Sequence, residues 1–205
     1  MEFDGYGSHR GVFEQILRRL EVRSVLEFGM GLYSTKLFAD HCAFVASVEQ
    51  ESMEWYNKTV EMVRSPHWSP HFEADPAVIF DYYDTKGVQF DLVLSDGKAE
   101  TRCQVANMAM QRNVPVVALH DAEKIWYYRW NLLEIPVGYF RFDFRRNDEL
   151  GKVTSILTNR DVKEVNGWTI DGHERIVQAY ISPLQPVVQV DLQGNMRMLV
   201  PSVKP

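Results

Sequence analysis

Cysteine is scarce in this 205-residue chain, with only Cys42 and Cys103 present. Both lie in apolar, periodic stretches, and neither has a second thiol or a histidine at metal-ligand spacing. That excludes a disulfide scaffold and points to buried free thiols in a reducing compartment. Long apolar runs are also missing, since none approaches the roughly 20 residues needed to cross a bilayer. The opening Met1-Glu2-Phe3-Asp4 is acidic and has no basic, apolar leader. The expectation is a soluble, cytoplasmic protein with no membrane partner. A basic stripe is the third absence. Twenty-two Lys and Arg against 28 Asp and Glu give a net charge of −6, with both signs scattered along the chain. Nucleic acid is not an expected partner, because nothing would neutralise a row of phosphates. Internal repeats and low-complexity tracts are lacking as well.

What is present is an alternation of apolar patterns. Val12, Ile16, Leu17 and Leu20 recur at helical spacing and predict an amphipathic entry helix. Ser24 to Phe28 then reads as a short buried strand, Gly29 to Tyr33 as a turn, and Ser34 to His41 as a helix. The alternation continues with strand 44–48, helix 51–63, a helical turn near Asp81, strand 90–94, helix 100–112, strand 114–119 and a helix over about 122–133. Nearly continuous apolar runs such as Val114-Pro115-Val116-Val117-Ala118-Leu119 imply a parallel sheet covered on both faces. A third strand is hard to place, because Pro66, Pro70 and Pro76 interrupt its window. After that the rhythm changes. Stretches 139–145 and 152–158 alternate in polarity around Asn147-Asp148-Glu149 and predict an antiparallel pair at a sheet edge. Further strands are expected near Ile176 and Val187, with Gln193-Gly194-Asn195 as a hairpin turn before Met196. Length favours one domain over 1–160 and a β-rich extension over 161–205, packed on that domain or on a second copy of the chain.

The first loop carries the chemical signal. In an open parallel sheet, ligands sit beyond the carboxyl ends of the strands. A dinucleotide fold wants Gly-x-Gly-x-x-Gly, but here the third place is Ser34. Glu27, two residues before Gly29, suits an amino group better than a pyrophosphate. Glu49 ends the next strand, where a carboxylate can accept hydrogen bonds from both hydroxyls of a ribose.

Val25-Leu26-Glu27-Phe28-Gly29-Met30-Gly31 with Ser34-Thr35, then Val48-Glu49-Gln50, resembles the class I S-adenosylmethionine-dependent methyltransferases. Phe90-Asp91-Leu92-Val93-Leu94-Ser95-Asp96-Gly97 with Arg102, and Val117-Ala118-Leu119-His120-Asp121-Ala122, resemble the small-molecule and sugar O-methyltransferase branch. The resemblance spans about residues 24–158. It implies an α/β, Rossmann-like fold with a seven-stranded, mostly parallel sheet of order 3-2-1-4-5-7-6, and S-adenosylmethionine as cofactor. It places Glu27, Gly29, Gly31, Ser34 and Thr35 at the methionine end, Glu49 with Gln50 at the ribose, and residues 75–84 beside the adenine.

Asp96 and Asp121 are expected at the ends of strands four and five, near the transferred methyl group, with His120 as the neutral base for an acceptor hydroxyl. Some enzymes of the branch hold a divalent cation with acids at these strand ends, so Asp96 and Asp121 are also the candidate ligands for magnesium or manganese. A metal-free mechanism is preferred, because no third protein ligand is evident. The Trp126, Tyr127, Tyr128 and Trp130 cluster reads as core packing, with an acceptor platform as the alternative. The Asn/Asp-Pro-Pro-aromatic loop of amino-methylating enzymes is replaced by Ser95-Asp96-Gly97-Lys98, and neither cysteine follows a proline. The functional expectation is methyl transfer to a hydroxyl of a small acceptor, with a sugar as one candidate. The alternatives are a degenerate binding or assembly module, with the extension as its interface in a homo-oligomer, or another transfer reaction of the same cofactor.

Overall fold

The computed structural model describes residues 9–148, 150–161, 165, 167–176, 187–190 and 196–199. In chain order the elements are α1 (Arg10–Arg19), β1 (Ser24–Phe28), α2 (Ser34–His41), β2 (Phe44–Glu49), α3 (Met53–Met62), β3 (Trp68–Phe72), α4 (Pro76–Thr85) and β4 (Leu92–Ser95). There follow α5 (Arg102–Gln111), β5 (Val116–Leu119), a 3-10 turn (Trp130–Leu132), β6 (Phe140–Arg146), β7 (Val153–Thr158), β8 (His173–Ile176), β9 (Val187–Val190) and β10 (Met196–Leu199).

The main sheet has eight strands in the order β3-β2-β1-β4-β5-β7-β6-β8. The first five run parallel, and β7, β6 and β8 join antiparallel. The expected seven-strand order is present, and β8 extends it by pairing with β6. Strand β9 pairs antiparallel with β10 as a separate two-stranded sheet, while the Gln193-Gly194-Asn195 turn lies outside the described residues. Strand β3 tolerates Pro70 because it is an edge strand, with only β2 beside it to demand backbone donors.

Strands β1, β2, β4 and β5 are buried on both faces, which explains their unbroken apolar runs. One core layer joins Leu26, Phe28, Ala46 and Val93 to Ile79 and Phe80 of α4 and to Val105, Ala109 and Met110 of α5. The other joins Val25, Val45, Leu92 and Leu94 to Val12, Phe13 and Ile16 of α1 and Phe38 of α2, and also takes in Val165, Trp168 and Ile170. Both cysteines are buried and unpaired.

The helix expected over 122–133 is not formed. Turns lead instead through Arg129, in the left-handed region at φ 59°, to the short 3-10 turn. Tertiary bonds explain the change: the Tyr128 hydroxyl donates to Asp121 Oδ2, and the Arg102 guanidinium lies 3.9 Å over the Tyr128 ring. Among the described residues, no helix is long and apolar enough to cross a membrane.

Candidate active site

Register brings the site together. Val48, Phe28, Ser95 and Leu119 stand side by side on β2, β1, β4 and β5. The residues one step beyond are therefore level at the carboxyl edge: Glu49, Gly29, Asp96 and His120. The ladder continues into this row through Gly29 N–H to Val48 O (2.8 Å), Asp96 N–H to Phe28 O (2.9 Å) and His120 N–H to Ser95 O (3.3 Å).

Gly29 sits at φ 92°, and a Cβ there would come within 2.3 Å of the Asp96 carbonyl oxygen. Only glycine lets the β1 and β4 loops approach this closely. A Cβ on Gly97 would meet Gln50 Oε1 at 2.0 Å. That amide is a junction: Oε1 accepts from Lys98 N–H and Thr101 Oγ1, while Nε2 donates to Ala74 O in the loop before α4. Gln50 thus ties three loops of the edge together. The Gly31 amide is satisfied internally by Thr35 Oγ1 at 2.9 Å.

Glu27 faces inward. Its carboxylate is fully buried and accepts from the hydroxyls of Ser34, Thr35 (2.6 Å) and Ser47 (2.6 Å). Trp68 Nε1 of β3 in turn donates to Ser47 Oγ. Burial pushes the Glu27 carboxyl up to about 7, against the partial relief of those hydroxyls. The side chain therefore braces the glycine loop from beneath, with its oxygens already engaged by Ser34, Thr35 and Ser47. Glu49 differs. Its Oε1 accepts the amides of Glu51 and Ser52, and Oε2 carries no hydrogen bond among the described residues. Trp55 of α3, which sequence reasoning did not single out, donates through Nε1 to Met30 O at 2.6 Å and props the same loop.

At the other half of the row, Asp96 Oδ1 meets His120 Nδ1 at 3.0 Å and Arg102 Nη2 at 2.8 Å. Arg102 also donates to the carbonyls of Gly97, Asp96 and His120, so one buried guanidinium holds both strand ends. Burial alone would raise Asp96, but His120 and then Arg102 hold it below the ordinary carboxylate value. Burial alone would lower His120, but Asp96 and then Asp121 leave it raised above 6.5.

Asp121, at φ 53°, lies one residue past the row. Its Oδ1 receives Lys152 Nζ, and its Oδ2 receives Tyr128 Oη at 3.1 Å and Lys124 Nζ at 3.4 Å. Burial would raise this carboxyl, but His120, Lys152 and Lys124 hold it well below the usual range. At the candidate cation pair of Asp96 and Asp121, two lysines already neutralise Asp121. The residues present do not fit that pair of acids as magnesium or manganese ligands.

His9 was also missed. Buried just before α1, it packs its ring against His120 at 4.6 Å, nearly edge-on. Burial, and then His120, push it down to about 3, so the ring is neutral. A single histidine more than 100 positions from its neighbour leaves no local pattern to read, and Lys152, 31 positions from Asp121, leaves none either.

The aromatic cluster divides. Tyr128 and Trp130 are core, whereas Trp126 and Tyr127 are 79% and 68% exposed.

No protein-family model matches the chain, and no curated protein matches its sequence. Solved structures do match. An O-methyltransferase from Bacillus cereus, in complex with S-adenosylhomocysteine, aligns at TM-score 0.60 and 14% identity over 77% of this chain and 82% of that one. The O-methyltransferase TomG from Streptomyces achromogenes, in complex with S-adenosylmethionine, aligns at 0.57 and 16% identity over 77% and 90%. The fold is that of class I methyltransferases. The N-methyltransferase NodS from Bradyrhizobium japonicum, in complex with S-adenosylhomocysteine, shares it at 0.50 and 19% identity over 77% and 90%. The acceptor atom thus differs among proteins of this methyltransferase fold, and the row of residues at the carboxyl edge must supply the functional argument.

Proposed function

We propose that the chain is an S-adenosylmethionine-dependent methyltransferase that acts on a hydroxyl of a small acceptor. One observation carries the reading: Glu49, Gly29, Asp96 and His120 stand in one row at the carboxyl edge of the parallel sheet. Glu49 and the Gly29–Gly31 loop would hold the cofactor, with Glu49 Oε2 for the ribose hydroxyls and Gln50 keeping the surrounding loops in place. When bound, the cofactor supplies an electrophilic methyl group.

The chain's own contribution is handling the proton. Asp96 orients His120 through Nδ1, and Nε2, 3.8 Å from Asp121 Oδ1, is the nitrogen that would accept a proton in the neutral ring. His120 Nε2 would take the proton of an acceptor hydroxyl as that oxygen gained the methyl group and the methyl–sulfur bond broke to leave S-adenosylhomocysteine. Arg102 keeps Asp96 ionised, so the imidazolium that forms is stabilised. The buried Asp96–His120–Arg102 assembly favours an enzyme over a degenerate module, since such a cluster is costly to bury without use. Exposed Trp126 and Tyr127 offer a platform on which a sugar or phenol ring can lie. The β9–β10 pair is proposed as the interface for a second copy of the chain, with residues 161–205 as an extension of the catalytic domain.

Calorimetry with S-adenosylhomocysteine tests the cofactor half, and a screen of sugars and phenols with labelled cofactor tests the acceptor half. No binding at millimolar ligand removes the enzyme reading. Binding without turnover on any hydroxylated acceptor restores the module.

A further inference from the structure

The edge holds one group that the methyl-transfer reading does not use. Among the described residues, His9 is buried with no hydrogen-bond partner for either ring nitrogen, which is uncommon for a buried polar ring. It faces His120 and Asp96, and one ligand atom from each of the three lies within 4.8 Å of the other two. We propose that His9, Asp96 and His120 form a binding site for a divalent first-row transition-metal ion such as zinc, cobalt or ferrous iron. Two imidazoles and one carboxylate suit such ions, whereas magnesium prefers an all-oxygen shell.

With metal–ligand bonds of about 2.1 Å, ligand atoms around one ion lie roughly 3 to 3.4 Å apart. The three side chains must therefore draw together by rotation. Asp121 is not needed, because Lys152, Lys124 and Tyr128 already engage its oxygens. With three protein ligands, open positions remain for water or an acceptor oxygen. The proton and the ion compete for His120, so they define two states of one centre. In the ion-free state His120 accepts the hydroxyl proton. In the loaded state the ion lowers the pKa of a bound hydroxyl, and loading releases protons.

The probe is Co2+ added to the full, chelator-stripped chain, followed by visible absorption and elemental analysis, then displacement by Zn2+. One equivalent is expected, with affinity lowered roughly 10- to 100-fold or more in His9→Ala and His9→Gln and retained in Asp121→Asn. In the unaltered chain, nitrogen-15 spectra of the six histidines should show two rings shifted by Zn2+. No stoichiometric uptake, uptake that survives both His9 substitutions, uptake abolished by Asp121→Asn, Mg2+ binding as tightly as Zn2+, or no shifted ring pair would each overturn the site. The spectra need no variant, so a misfolded substitution does not leave the question open. Metal uptake is measured without cofactor or acceptor, so its failure and a failed methyl-transfer assay are separate results.

Discussion

Glu27 and Asp96 are carboxylates near the carboxyl ends of neighbouring strands, yet they are kept in opposite conditions. Glu27, within β1, meets only hydroxyls, from Ser34, Thr35 and Ser47, and is pushed up to about 7. Asp96, just past β4, meets an imidazole and a guanidinium and is held below its ordinary value. Burial opposes ionisation at both places. Hydroxyl dipoles offset it only in part, while formal positive charges reverse it. The hydroxyl-lined carboxyl braces a loop, and the carboxylate set among positive charges can move a proton.

The largest effect is expected where that charged end is broken. His120→Ala should lower turnover by about 10²- to 10⁴-fold while cofactor affinity stays nearly constant, as titration calorimetry and initial rates would show. In the ion-free unaltered chain, turnover should rise with pH through a midpoint above 6.5, because the raised imidazole must lose its proton before it can accept another. Next is Arg102→Met, which leaves Asp96 and three carbonyls without their cation. It should cost about 3 kcal/mol of stability in denaturant unfolding, since one member of a buried ion pair is stranded.

Glu49→Ala should weaken S-adenosylhomocysteine binding by about 2 to 3 kcal/mol through lost charge-assisted hydrogen bonds. Because Oε1 also accepts the Glu51 and Ser52 amides, the ligand-free protein should lose about 1 kcal/mol as well. Glu49→Gln should restore most of that stability without restoring affinity.

Glu27→Gln sharpens the other side of the comparison. A carboxyl raised from 4.5 to about 7 favours the fold while protonated, and that contribution is lost as pH rises from 4.5 through 7. The variant should therefore gain on the unaltered chain in thermal melts as pH moves from about 5 to 8; a constant difference would show that Glu27 titrates normally. The smallest effect belongs to Trp126→Ala. Its melting should change by no more than the equivalent of about 0.5 kcal/mol, while KM for a cyclic acceptor rises.

Alternating strand and helix runs were enough to read a parallel sheet, because a strand buried on both faces has no polar side to disguise it, while the strand order came from the family resemblance. The antiparallel pair at 139–158 was legible for the opposite reason, its polarity alternation. Gly29 and Glu49 could be marked as a loop and a strand end, since local spacing controls both. Strand β3 was obscured by Pro70, which only an edge position tolerates, and edge position is a fact of pairing. The helix expected at 122–133 failed because Arg102 and Asp121 capture Tyr128 from outside the segment.

By itself the sequence determined the order of strands and helices and the row of residues that ends the parallel strands, because periodicity and turn chemistry act over a few residues. Only the tertiary structure decided what those residues do. Glu27 turns inward onto three hydroxyls, Asp121 is neutralised by Lys152 from just before β7, 31 positions away, and His9 reaches His120 across 111 positions. The physical reason is that a buried group's charge and availability depend on the neighbours that packing brings to it, and those neighbours are set by sheet register and helix placement.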